Sequence, residues 1–128
     1  MEEILAKLPS DGAADFTGAM AIYSSGGDSK DIIAATLESL ATPGATTMAS
    51  DTWYPVYKAY WGSQINYADT FVQDAASGTL PAEMKKELIK KGIVYQGLWM
   101  QVVHNLDKGQ RDCDVKLWDK GMAYYFGS

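Results

Sequence analysis

The chain has 128 residues, 47% hydrophobic and 21% charged, with a formal net charge of −5 at pH 7. That length suits one domain with a single core and no need of disulfide or metal staples, and the apolar content excludes disorder throughout. An acidic balance with a single arginine, Arg111, excludes nucleic acid as a partner, because a phosphate backbone requires a basic face, and disfavours an anionic membrane surface.

Turn and breaker residues divide residues 1–128 into about seven helical segments of one all-α domain. Glu2 to Leu8 forms a short first helix, stopped by Pro9. Ser10 or Asp11 caps a second, with Phe16, Ala19, Met20 and Tyr23 at helical spacing and Gly26-Gly27 at its end. Asp28 caps a third through Ile32, Ile33, Leu37 and Leu40, before the breaker Thr42-Pro43-Gly44. Ser50 or Thr52 opens the aromatic segment Trp53 to Trp61, with Pro55 in the first turn, where a missing N–H costs nothing. Gly62-Ser63 interrupts it, and Asn66 caps Tyr67 to Ala76, closed by Gly78.

The longest segment runs from Pro81 to about Lys108, with Leu88, Tyr95, Trp99, Val102 and Leu106 on one face. Gly92 and Gly97 each cost it about 1 kcal/mol relative to alanine and point to close contact with a neighbour or a bend. A final helix, Asp112 to Phe126, carries Val115, Trp118, Met122 and Phe126. No run alternates convincingly enough for a strand, and none approaches the roughly 18 apolar residues of a transmembrane helix. Met1-Glu2-Glu3 is acidic where a signal peptide would be basic. The expected architecture is an antiparallel helical bundle of four main helices with shorter accessory helices. Trp99 and Trp118 are expected to be buried, and the Lys85-Lys86 and Lys90-Lys91 run to be a solvated face paired with Glu83 and Glu87.

No assembled catalytic site is legible. His104 is the one histidine, in the middle of a helix, and there is no nucleophile elbow, phosphate loop or HExxH. Cys113 is the one cysteine, so no internal disulfide forms; it is either a small half-buried side chain or a thiol whose partner lies outside this chain. Clustered Cys and His for structural zinc are absent. Hard ferric iron favours carboxylate and phenolate oxygen, and here eight tyrosines accompany a surplus of carboxylates. Tyr54, Tyr57, Tyr60 and Tyr67 fall in one short stretch, followed by Asp69 and Asp74. His104 and Asp107 are three apart, and the Arg111 guanidinium suits a carbonate-like anion. The opposing reading is that the tyrosine rings simply pack in the core. Trp53, Tyr54, Tyr57, Tyr60 and Trp61 also compose a recognition patch for a protein partner, although core packing accounts for at least half of them.

Three stretches in order carry a family resemblance. The first is Ala21-Ile22-Tyr23 with Gly26-Gly27 and the later Leu37-Glu38-Ser39-Leu40-Ala41-Thr42. The second is Tyr60-Trp61-Gly62 leading to Asn66-Tyr67-Ala68-Asp69 and Phe71-Val72, then Ala75-Ala76 and Gly78. The third begins at Ile89-Lys90-Lys91-Gly92 and passes Tyr95, Trp99-Met100, Val102-Val103 and Cys113 to Trp118-Asp119-Lys120-Gly121 and Ala123-Tyr124-Tyr125-Phe126-Gly127-Ser128. Together they resemble the low-iron-inducible periplasmic proteins of algae, whose relatives include the phytotransferrins. The resemblance implies a non-enzymatic iron-assimilation domain, extracytoplasmic (periplasmic or at the cell surface), and one repeat or part of a longer protein. It also implies Fe(III) held with carbonate. With the residue reading above, the candidate metal ligands are Tyr60, Tyr67, Asp69, His104 and Asp107, and the candidate anion ligand is Arg111. The alternative is a helical docking subunit, such as a lumenal extrinsic protein of a photosynthetic complex, which would sit in the thylakoid lumen.

Overall fold

A computed structural model describes residues 1–27, 36–43 and 47–127. Among them every regular element is helical, so the fold is all-α. The first two helices form a linked pair. α1 (Glu2–Lys7) has acids in its first turn and Lys7 in its last, matching the helix dipole. α2 (Phe16–Ser25) is capped by Asp15, not by Ser10 or Asp11: the Asp15 carboxylate accepts from Gly18 N–H at 2.8 Å and pairs with Lys7 at 3.1 Å. Gly26, at φ +92°, closes the helix in the left-handed conformation that only glycine adopts at little cost.

The expected Asp28-capped start and Ile32-Ile33 lie outside the described residues, as does Gly44. The described helix in this region is α3 (Leu37–Ala41), capped by Thr36, whose hydroxyl accepts from Ser39 N–H at 3.1 Å. α4 (Tyr54–Tyr60) starts with Pro55 in its first turn, as expected. Asn66 precedes α5 (Tyr67–Ser77), but its side chain makes no cap hydrogen bond.

The long segment is helical without a break from Ala82 to Asp112, extending past Lys108. α6 (Ala82–Lys91) passes into a π-helical stretch (Gly92–Leu98) and then α7 (Trp99–Asp112). The two glycines mark that stretch. A Cβ on Gly92 would lie 2.7 Å from the Phe71 ring, so α5 approaches there as closely as a missing side chain allows. Gly97 faces Ala41 of α3 at an ordinary 3.5 Å. Cys113, at φ +52°, ends α7, and Asp114 caps α8 (Val115–Phe126), which starts after Asp112 rather than at it. α7 and α8 form an antiparallel hairpin in which Trp118 meets Gly109 and Leu106 meets Gly121.

The core lies where α2, α3, α5 and the long segment converge, around Ile4, Leu8, Tyr23, Met48, Tyr67, Val72, Ile89, Ile93 and Met100. The lysine run is not a solvated face. Lys86 is 1% exposed; its ammonium donates to Pro9 O at 3.0 Å and pairs with Glu83 at 2.6 Å. Lys85 donates to Ala76 O at 3.2 Å and covers the Phe16 ring. Buried Gln101 donates to Leu40 O at 2.9 Å. Ala76 and Leu40 lie in the last turns of α5 and α3, where carbonyls lack intrahelical partners, so the long segment supplies donors its neighbours need. The expected Glu pairing does form: Glu87 holds Lys90 at 3.5 Å and Lys91 at 3.4 Å.

Candidate functional site: an aromatic groove

α4 and the middle of the long segment stand side by side and leave a groove of about 790 Å³ between them. Val56, Tyr57, Tyr60 and Trp61 form one wall; Tyr95, Gln96 and Trp99 form the other. None of these side chains is charged. The helical spacing of Tyr57, Tyr60 and Trp61 puts them on one side of α4, and residues 95, 96 and 99 share a side across the end of the π stretch.

The groove is anchored to the core by stacked rings. Trp61 lies parallel to Tyr67 at 6.3 Å, meets Phe71 edge-on at 5.7 Å and meets Tyr60 edge-on at 5.4 Å. Tyr54 packs on Tyr67 at 5.6 Å and donates its hydroxyl to Ile65 O. The aromatic stretch thus divides as expected between core and surface: Tyr54 is buried, Tyr57 and Trp61 half-buried, and Trp53 and Tyr60 exposed. The expected burial of Trp99 and Trp118 is corrected, since they are 40% and 44% exposed. Trp99 forms part of a groove wall, and Trp118 lies on α8, which packs chiefly on α7.

The candidate ferric residues fall into separate settings. Tyr60 is 82% exposed at the groove. Tyr67 is 2% exposed, and its hydroxyl and the Asn66 side-chain oxygen are buried with no hydrogen-bond partner among the described residues. Burial, reinforced by the neighbouring Tyr54 and Tyr57 hydroxyls, pushes the Tyr67 phenol well above its ordinary range; burial alone pushes Tyr54 up to about 12. Asp69 accepts from the Tyr23 hydroxyl at 3.0 Å, and burial followed by this carboxylate's charge raises the Tyr23 phenol. His104 shares a face with Asp107 but pairs with Asp51: Nδ1 and Oδ2 lie 2.6 Å apart, both side chains nearly buried. Asp107 pairs with Arg111 at 3.4 Å. Among the described residues no three His, Cys, Asp or Glu side chains gather as a metal set, so Asp69, His104 and Asp107 do not form one. Cys113 is exposed, which corrects its half-buried reading.

Sequence reasoning had no signal for Tyr95 and Gln96 as partners of the α4 aromatics, because that juxtaposition depends on tertiary packing. Asp51 was equally silent, a lone acid in a loop more than fifty residues from His104 in the chain. No family model, curated protein or solved structure matches the chain.

Proposed function

We propose that the chain is a non-enzymatic docking domain that receives an uncharged, apolar surface of a partner in its aromatic groove. The observation that carries this reading is the groove itself. It holds four tyrosine or tryptophan rings from two elements beside Tyr57, and it lacks charge. Trp and Tyr dominate binding hot spots because they bury much area at little conformational cost. A charged partner would lose hydration there without gaining a counter-ion. No helix among the described residues is long and apolar enough to cross a membrane.

A titration with Nile red, a neutral apolar dye, tests the reading. One saturable site is expected, weakened at least about tenfold by Tyr60→Ala or Trp99→Ala, as loss of about 1.4 kcal/mol of contact implies, and kept by Trp118→Ala. Equal binding by all three variants refutes it.

A second reading, iron assimilation, is supported by the resemblance to the algal family and by one local feature, the Tyr67 hydroxyl, which has no hydrogen-bond partner among the described residues and lies beside the Tyr54 and Tyr57 phenols. Iron bound there would have to displace a proton that burial holds tightly. Ferric titration with and without bicarbonate tests it: a phenolate-to-iron absorption band lost in Tyr67→Phe supports it, and no band refutes it for this chain.

A further inference from the structure

The groove continues past Trp99. Tyr95 and Trp99 also line a second depression of about 210 Å³, whose far wall is Tyr124 and Tyr125 of α8. Phe126, next in the chain, meets Tyr125 edge-on at 5.2 Å. One apolar face therefore runs from α4 across the long segment to the end of α8. It is open to solvent: Val56 is 60% exposed, Tyr60 82%, Tyr95 64%, Tyr125 59% and Phe126 72%. With Trp99, side chains of this size at these exposures leave on the order of 800 Å² uncovered. Monomers seldom carry an apolar patch beyond about 300–600 Å². Each partner in a standard stable interface contributes about 800 Å².

We propose that this face joins two copies of the chain. The inference rests on the docking reading and names the partner. A two-fold contact sets the same patch of both copies against itself, and this face is wide enough to supply one side of it. Among the described residues no carboxylate lines either depression, and the charge recorded beside the second is a cation, Lys120 over the Tyr124 ring at 5.9 Å, so two chains of net charge −5 can meet there without carboxylates in contact. The remaining charges repel at longer range, and salt screens them, so association strengthens with ionic strength.

Sedimentation equilibrium of the full chain from about 1 µM to 1 mM reads dissociation constants in that range, and a dimer at every concentration marks a tighter one. The expected result is a concentration-dependent doubling of mass, favoured by salt. Tyr60→Asp and Phe126→Asp should each weaken it at least about tenfold, the penalty of burying an unpaired charge. Both positions are largely exposed, so circular dichroism should show the variants folded. A monomer across the whole range overturns the proposal, as does a dimer that both variants retain. A monomer that still binds Nile red in the groove excludes the second copy and leaves the docking reading standing. A monomer that binds no dye removes both.

Discussion

Lys86 shows how one residue's setting can invert its usual role. Its ammonium is enclosed yet holds both the Glu83 carboxylate and the Pro9 carbonyl, so it ties the chain after α1 to α6. Lys86→Ala should cost about 1.5–3 kcal/mol, the range for hydrogen bonds to a charged group. Exposed Lys91→Ala should stay within about 0.5 kcal/mol. Urea denaturation of the two variants checks the contrast, and equal midpoints would show that Lys86 is not a clamp. The buried phenols make a second residue-scale prediction. Tyr23, Tyr54 and Tyr67 are all raised by burial, so their contribution to stability is complete below the unfolded tyrosine value of about 10 and is lost as pH rises through the folded values. Ultraviolet titration should show these phenols ionising together with loss of the helical circular-dichroism signal. Their smooth ionisation with helicity intact would contradict the buried placement. Neither Lys86 nor Tyr23 was legible from spacing, because a lysine among acids and lysines reads as solvated and a tyrosine reads as a ring with a wet hydroxyl. Which polar tips face inward is decided by neighbours remote in the chain, Pro9 for Lys86 and Asp69 for Tyr23.

At the scale of elements, the long segment organises the molecule. Its proline start and its two glycines were readable in the sequence; its buried face was not, since Ile89, Ile93 and Met100 carry it while Tyr95 and Trp99 of the expected stripe are exposed, nor was the π stretch between the glycines, because a π turn leaves no distinctive periodicity over seven residues. The glycines differ in what surrounds them, and opposite outcomes are expected. Gly92→Ala drives a methyl into Phe71 and Val72 and should destabilise by about 1–3 kcal/mol. Gly97→Ala meets Ala41 at normal contact distance and should be neutral or stabilising by up to about 1 kcal/mol, the helix-propensity gain. Thermal melts of the two variants decide, and shifts of the same sign would mean that α5 does not press on Gly92 as described. The boundary errors have a common cause as well. Asp15, rather than Ser10 or Asp11, caps α2 because it can also reach Lys7, a contact between elements and not within one.

At the scale of the whole molecule, composition and punctuation were enough for the all-α class. Of the five aromatics from Trp53 to Trp61, Tyr54, Tyr57 and Trp61 pack with the core, in line with the expectation that at least half would. The groove was half legible: its α4 wall stands in one segment of sequence, while its Tyr95, Gln96 and Trp99 wall comes from a helix packed beside it. Three of the candidate ferric residues have other partners here, His104 with Asp51, Asp107 with Arg111 and Asp69 with Tyr23. The central claim is that the functional surface is the aromatic groove. It is tested most directly by NMR of the tryptophan indole N–H signals while Nile red is titrated into the chain. The groove account predicts saturable shifts of the Trp61 and Trp99 signals with the Trp118 signal unmoved. Uniform shifts of all the indoles, or saturation at Trp118 with Trp61 and Trp99 unchanged, would contradict it.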